Sequence, residues 1–426
     1  MADLSIEFLC VKSPNPFWLA SAPPTNSGGQ VMRAFDAGWG GAVWKTLGVP
    51  IENVTSRFGS VDYAGRRMMG LNNIELITDR PIETNLREMA EVKRRYPKHT
   101  LIASLMVETR EEWKTIIKQV EDVGSDLIEL NFGCPHGMCE RGMGSAVGQE
   151  PRVLEKITSW AKEFARVPVI VKLTPNITDI TVAAQAAQRG GADAVSLINT
   201  IKSLVSVDLD HFVPNPIVDG KSTNGGYCGP AVKPIALHMT AAIARKLPGF
   251  PISGIGGVGN WRDAAEFMAL GASTVQVCTA VMHYGYRIVE DLIAGLNTYL
   301  TAKDMRSSRD LVGRAIGNYT DWGSLNRVYH QVAKIHPEHC IGCNLCVVAC
   351  DDGAHQCLSL NPKFKDDGKT RLAPLIHESE CVGCNLCQLV CPAPGAITMS
   401  ERPKALLHSD SKYPGDGTSY ARSFLR

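Results

Sequence analysis

The sequence predicts an α/β chain: a parallel (β/α)8 TIM barrel followed by a small, cysteine-rich α+β domain. Three observations predict it. Apolar, β-rich segments recur eight times, near 17–22, 39–46, 100–105, 126–132, 168–174, 194–200, 251–257 and 274–280. Segments of helical periodicity lie between most of them, and strand alternating with helix over about 250 residues argues for a closed barrel rather than an open doubly wound sheet. Near the end of the chain one cysteine-dense unit, CIGCNLCVVACDDG at 340–353, returns as CVGCNLCQLVCPAPG at 381–395, the one internal repeat that we find.

Size and charge fit that architecture. At 426 residues with 44% hydrophobic content the chain can bury a large core. Lys+Arg of 44 against Asp+Glu of 43 leaves a net charge of +1, so no global basic field gathers nucleic acid or an anionic membrane. The opening MADLSIEFLC lacks a basic stretch leading into an apolar core, and no later run approaches the roughly 18 apolar residues of a membrane span. A cytoplasmic protein acting on small molecules and protein partners is expected. The 14 cysteines point the same way, because a reducing compartment keeps the two blocks available as thiolates.

Taken in order, the chain opens with a hairpin over LSIEFLCVKSPNPF. Helices are expected at NLREMAEVKRRY, REEWKTIIKQVEDV, VLEKITSWAKEFA, DITVAAQAAQRG, AVKPIALHMTAAIARKL and NWRDAAEFMALG. YRIVEDLIAGLNTYLTAK and RDLVGRAIG are helical and less apolar, a closing helix and a linker. The expected domains are a barrel over 1–300, a helical linker over 301–333, the cysteine-rich domain over 334–400, and a loosely held polar tail over 401–426.

Barrel active sites sit in the loops that follow the C-terminal ends of the strands. The polar residues there are Ser21, Lys45 with Thr46, Ser104, Asn131 with Cys134, Lys172, Asn199 with Thr200, Gly256 with Gly257, and Thr279. The stretch DLIELNFGCPHGMCERGMG at 126–144 is a buried strand entering a glycine-rich loop, where the Cys134 thiol stands beside Pro135 and His136. The plain reading of Cys134 is an inert buried thiol, which a strand-end loop of this composition argues against. GIGGVG at 254–259 matches GxGxxG, yet the next strand, STVQVCTA, ends without the acidic residue that a dinucleotide site needs. Loops after strands 7 and 8 of a barrel form a phosphate site, so Gly256, Gly257 and Thr279 suit a mononucleotide such as FMN. Lys45 and Lys172 would then face the isoalloxazine ring, where a cation stabilises the reduced flavin; alone, each could be a lysine reaching for solvent. Gly225, Gly226 and Gly229 in NGGYCGP read as a loop bringing backbone close to the ligand.

Each copy of the repeat spaces its cysteines CxxCxxCxxxC, the pattern of bacterial two-cluster ferredoxins, in which the fourth cysteine of each copy serves the other cluster. That assigns Cys340, Cys343, Cys346 and Cys391 to one 4Fe-4S cluster and Cys381, Cys384, Cys387 and Cys350 to the other. Structural zinc, usually held by two CxxC pairs, fits this spacing poorly. Cys357, outside both spacings, reads as a core thiol.

IELNFGCPHG, VKLTPN, LINT, the glycine loop at 225–229, GIGG and the ferredoxin repeat together resemble the dihydropyrimidine dehydrogenase family, from Leu4 to about Ser400. The resemblance implies an FMN site at Ser21, Ala22, Lys45, Thr46, Lys172, Gly229, Gly256, Gly257, Cys278 and Thr279. It implies pyrimidine-binding residues at Asn73, Asn131, Asn199 and Thr200, and a proton-transferring Cys134. Amides suit a ring whose edge alternates N–H and C=O, since Asn can pair in both senses. The implied reaction reduces the 5,6 double bond of uracil or thymine, with hydride to C6, a proton from Cys134 to C5, and electrons through the two 4Fe-4S clusters. Because no NAD or FAD domain is evident, the resemblance also implies a hetero-oligomer with a partner subunit that carries FAD and binds NADH. Two departures stand out: Gly133 where the family usually has Ser, and Cys139 where Gly is common. Cys139 is read as a bystander and His136 as loop support. The alternatives are a dihydroorotate dehydrogenase, sharing barrel, flavin and cysteine, and a non-catalytic electron-transfer scaffold.

Overall fold

The computed structural model describes residues 2–361 and 372–401. The eight expected strands are all present and close into a parallel barrel. They are β1 (Phe17–Leu19), β2 (Gly41–Val43), β3 (Thr100–Leu105), β4 (Leu127–Asn131), β5 (Val169–Lys172), β6 (Ala194–Leu197), β7 (Ile252–Ile255) and β8 (Thr274–Val277). Every residue in them is buried, because helices cover the outside while side chains fill the inside, and such strands read as near-continuous apolar runs.

The covering helices form where the spacing places them. Arg110–Asp122 is started by a capping box, in which Thr109 Oγ1 accepts from Glu112 N at 3.3 Å and Glu112 Oε2 accepts from Thr109 N at 2.8 Å. Asn260 caps Trp261–Ala269 in the same manner, accepting from Arg262 N at 2.8 Å. The other expected helices appear as Ile82–Arg95, Pro151–Phe164, Ile180–Arg189, Lys233–Lys246 and Ile288–Ala302. The N-terminal hairpin, Ile6–Phe8 against Val11–Ser13, plugs one end of the barrel. Its Ile6 and Phe8 pack with Trp18, Ile102, Leu127 and Ile170, and Phe8 meets Trp18 edge to face at 5.5 Å.

Two segments differ from expectation. NGGYCGP, read as a loop, contains the strand Gly225–Cys228, which joins Ile201–Ser203, Arg66–Asn73 and Phe58–Tyr63 in an antiparallel sheet. Its glycines are there for close approach: a Cβ on Gly226 would sit 2.1 Å from Thr200 Oγ1. RDLVGRAIG, read as helical, forms the short 3-10 turns Ser308–Leu311 and Ile316–Asn318. Between them Gly313 N donates to Met268 O and Ala315 N to Ala269 O, each at 2.9 Å, at the end of the helix Trp261–Ala269. This stretch therefore belongs to the barrel unit, which ends at Tyr319, and the second compact unit begins at Thr320.

In the second unit Gln331–Ile335 pairs with Ile397–Glu401 and Leu358–Ser359 with Leu375–Ile376, both antiparallel. The repeat in sequence is a repeat in backbone: Gly342 and Asn344 have φ of 65° and 61°, and Gly383 and Asn385 have 68° and 69°. Beyond Glu401 the polar tail lies outside the described residues. Among the described residues no helix is long and apolar enough to cross a membrane.

Candidate active site

Strand-end loops and the antiparallel sheet enclose one pocket of about 1370 Å³, open mouth included. Its walls contain Ser21, Ala22, Lys45, Thr46, Asn73, Asn131, Cys134, Lys172, Asn199, Thr200, Gly229, Gly256, Gly257, Cys278 and Thr279, whereas Ser104, Gly225 and Gly226, also singled out above, do not line it. Residues spread over more than 250 positions converge because the barrel brings successive strand ends to one rim.

The two lysines are held differently. Lys45 Nζ contacts Glu75 Oε1 at 2.5 Å, and Arg57 Nη1 reaches the same oxygen at 3.0 Å. Lys45 is thus an ion-paired residue, not the free cation that its strand-end position suggests. Lys172, 5% exposed, lies 3.6 Å from Glu129 Oε1, beyond hydrogen-bond range. Among the described residues its ammonium makes no hydrogen bond, so its donors are left to the pocket.

The amides form a chain across the rim. Ser21 Oγ and Ser104 Oγ lie 3.1 and 2.9 Å from Thr46 Oγ1. Asn131 Nδ2 donates to Thr46 Oγ1, and Asn199 Nδ2 to Asn131 Oδ1, each at 2.9 Å. Asn199 Oδ1 accepts from Thr200 N at 2.8 Å, and Asn73 Oδ1 accepts from Glu75 N at 2.5 Å. Each amide oxygen is therefore engaged by protein, and Asn131 and Asn199 each spend one N–H on a protein acceptor, so what the three amides keep for a ligand is chiefly their remaining N–H groups, a narrower role than pairing in both senses. Gly133 makes this geometry possible. A Cβ there would sit 2.4 Å from Asn199 Cβ and 2.6 Å from its Nδ2.

Cys134 is buried, with its Sγ 3.5 Å from His136 O. Burial pushes its thiol up to about 11, outweighing the smaller opposing influence of the His136 backbone contact. Ser145 N donates to Cys134 O at 3.0 Å, folding the loop back on itself. His136 Nε2 lies 3.2 Å from Glu75 O, tying the loop to the lysine's counter-ion segment, and burial holds the ring below the usual histidine range. Cys139 is half-buried, its Sγ 3.4 Å from Pro135 O, and it is absent from the pocket wall.

Directly after β7, Gly256 and Gly257 have φ of 129° and 76°, a backbone that glycine adopts without strain. Thr279 Oγ1 donates to Cys228 Sγ at 3.2 Å, and the Cys278 thiol is pushed far up by burial. Sequence reading passed over Glu75, Glu129, Gln276 and Cys228. Glu129 stood in the quoted IELNFGCPHG, and an acid inside an otherwise apolar strand was the available signal; Glu75 follows the strand Arg66–Asn73 and carried no such signal.

In the second unit each set of three-plus-one cysteines lines its own pocket. Cys340, Cys343, Cys346 and Cys391 surround one, and Cys350, Cys381, Cys384 and Cys387 surround the other together with Cys357. Cys357 is a buried thiol, as expected, with its Sγ donating to Glu380 O at 2.8 Å and its N–H reaching Cys350 Sγ at 3.3 Å. Among the described residues no three His, Cys, Asp or Glu side chains converge tightly enough to hold a single ion.

Comparison with known proteins accords with both halves. The family model for dihydroorotate dehydrogenase matches residues 4–300, and that for the 4Fe-4S dicluster domain matches 333–399. The chain is 44% identical over 364 residues to the NAD-dependent dihydropyrimidine dehydrogenase subunit PreA of Escherichia coli, covering 85% of this chain and 88% of the relative. It is 42% identical over 332 residues to the chloroplastic dihydropyrimidine dehydrogenase (NADP(+)) of Arabidopsis thaliana, covering 75% and 78%. Against the catalytic subunit of dihydroorotate dehydrogenase B (NAD(+)) from Pyrococcus horikoshii, identity is 35% over 317 residues, 74% of this chain and 98% of the relative. The chain belongs to the dihydropyrimidine dehydrogenase family, an oxidoreductase barrel of dihydroorotate dehydrogenase type joined to a 4Fe-4S dicluster domain.

Proposed function

We propose that this chain is the catalytic subunit of an NAD-dependent dihydropyrimidine dehydrogenase, reducing the 5,6 double bond of uracil or thymine. One juxtaposition carries the reading: a buried thiol, three donor amides and a lysine without a hydrogen-bond acceptor share one pocket. FMN fits that pocket. Glu75 Oε2, His136 Nδ1 and Gln276 Oε1 are buried pocket-wall atoms with no hydrogen-bond partner among the described residues, and a polar ligand accounts for such atoms. Lys45, Lys172, Ser21, Ala22 and Thr46 would hold the ring end, and Gly229, Gly256, Gly257, Cys278 and Thr279 the phosphate end. FMN held there would supply hydride chemistry at C6, and 4Fe-4S clusters held by the two cysteine sets would supply electrons.

The chain's own residues do the rest. Asn73, Asn131 and Asn199 donate to the ring carbonyls, with Thr200 beside them, orienting the pyrimidine and stabilising the negative charge that develops on its oxygens. Cys134 Sγ holds the proton destined for C5. His136, kept neutral by burial, supports the loop rather than supplying a proton. GIGGVG lacks the acidic ribose contact of a dinucleotide site, and the Escherichia coli relative is named as a subunit; both support a separate FAD-carrying, NADH-binding partner subunit in a cytoplasmic hetero-oligomer.

Cys134→Ala is expected to retain FMN and lose uracil turnover by at least about 100-fold, the usual range for a positioned acid. A flavin-replete Ala variant with wild-type turnover, or faster turnover of orotate than of uracil, would refute the assignment. The raised thiol pKa fixes a sign for pH: the donor form is complete at neutral pH and is lost only as pH rises through about 11. A pH profile of kcat for the intact enzyme should therefore show no thiol-linked alkaline loss near 8.5; a loss there that vanishes in Cys134→Ser would contradict it. Gly133→Ser should push Asn199 off Asn131 and raise KM for uracil about tenfold or more with FMN content unchanged, and an unaltered KM would show that the contact is irrelevant. The purified chain alone should fail to oxidise NADH; efficient NADH oxidation without a second subunit would remove the need for the partner.

A further inference from the structure

One layer of the barrel interior, which meets the pocket wall at Gln276, is built from polar rather than branched aliphatic side chains. Glu129 of β4, Ser196 of β6, Ser253 of β7, and Thr274 and Gln276 of β8 are each no more than 1% exposed. Ser196 Oγ donates to Glu129 Oε2 at 2.8 Å, and Gln276 Nε2 reaches the same oxygen at 3.3 Å. Gln276 Nε2 also donates to Ser253 Oγ at 3.0 Å, to which Thr274 Oγ1 donates at 2.7 Å. The other carboxylate oxygen, Oε1, has no hydrogen-bond partner among the described residues and lies 3.6 Å from Lys172 Nζ. A barrel built for stability alone fills this layer with Val, Ile and Leu. Burying a carboxylate here is costly, and the network that holds one of its oxygens fixes where its charge sits.

The contrast with Lys45 sharpens the point. There the carboxylate of Glu75 touches the ammonium at 2.5 Å and is shared with Arg57, so that lysine is tied down. At Lys172 the carboxylate is anchored by Ser196 and Gln276 just short of contact. Its charge acts on the ammonium while every N–H of the ammonium is left for a ligand.

We propose that Glu129 is a positioning residue for the reaction: from behind Lys172 it keeps the ammonium directed into the pocket and offsets its charge, setting how strongly the site favours negative charge on the bound isoalloxazine ring. The inference rests on the FMN reading of the pocket. A network that merely filled the barrel would affect stability but not the electronic balance of the ring.

The test uses the holoenzyme and titrates sulfite against the oxidised flavin absorbance. Sulfite donates its electron pair to the ring, whose N1 side takes up the charge, so its affinity reports how far the pocket favours that charge. Glu129→Gln keeps the shape and removes the charge. It is expected to bind sulfite about tenfold more tightly, equivalent to about 30 mV for a two-electron couple, whereas Glu129→Asp stays within about threefold of wild type. Unchanged sulfite affinity in flavin-replete Glu129→Gln, whatever its thermal midpoint, overturns the inference. Should that variant lose its flavin, Ser196→Ala decides: freeing the carboxylate to close on Lys172 should weaken sulfite binding about threefold, and no change overturns the proposal. Wild-type protein devoid of flavin would sink the FMN reading and this inference with it, whereas unchanged sulfite affinity sinks this inference alone.

Discussion

A lysine buried at 4 to 5% exposure survives as a cation only if an anion is placed beside it, and the barrel mouth contains two such lysines, each with its own carboxylate. Much of the site follows from that constraint. Glu75, brought in by the segment after the antiparallel strand Arg66–Asn73, pairs with Lys45, receives Arg57, and offers its main-chain oxygen to His136 in the thiol loop. One ion pair thereby fastens three separate loops. Removing a single partner of such a pair would leave an uncompensated buried charge, at a cost of about 3–5 kcal/mol, so the residues around the pocket stand or fall together.

The barrel was legible because of where its strands lie. A strand buried on both faces is mostly apolar, so TLIASL and VIVK announce themselves as near-continuous apolar runs, while LIELN and TVQV keep enough Leu, Ile and Val to read as strands despite their interior polar residues. The rim residues followed, since a barrel fixes which end of each strand carries chemistry. The antiparallel sheet was not legible. Its strands are rich in Gly, Asn and Arg, residues that disfavour strands, and they are held by close backbone approach and by the pairing of Gly226–Cys228 with Leu71–Asn73, segments more than 100 residues apart. Glu129 was hidden for a related reason. In IELN it looks like the outward residue of an alternating strand, and only closure of the sheet turns that position into the barrel's interior.

The cysteine-rich unit shows how a spacing rule carries three-dimensional information. In either copy taken alone, four cysteines would suggest one local site. The fourth is displaced by one further residue and falls within the helical turn Val348–Asp352 in the first copy and just past the helix Leu386–Leu389 in the second. There it lines the pocket of the opposite copy. The crossing makes each pocket depend on both copies, so neither half can close its own pocket without the other. That dependence accounts for the matched left-handed backbone at Gly342 and Asn344 and at Gly383 and Asn385, since equivalent ligands must arrive from equivalent turns.

The polarity of the barrel pocket bears on what it can do. Its amide oxygens are consumed by protein N–H groups, its lysine donors at Lys172 are unspent, and its thiol is held in the protonated form by burial. Toward a ligand the wall is therefore rich in donors and cations. Such a wall gains most from a bound molecule whose oxygens become more negative as the reaction proceeds, and gains least from one that keeps its charge constant. Hydride arriving at C6 of a pyrimidine makes that change, pushing charge onto the ring carbonyl beside C5 until a proton follows. Under the proposed reaction the amides and Lys172 bind the charge-developed ring more tightly than the resting one, and Cys134 ends the imbalance by giving up the proton that its surroundings had kept in place.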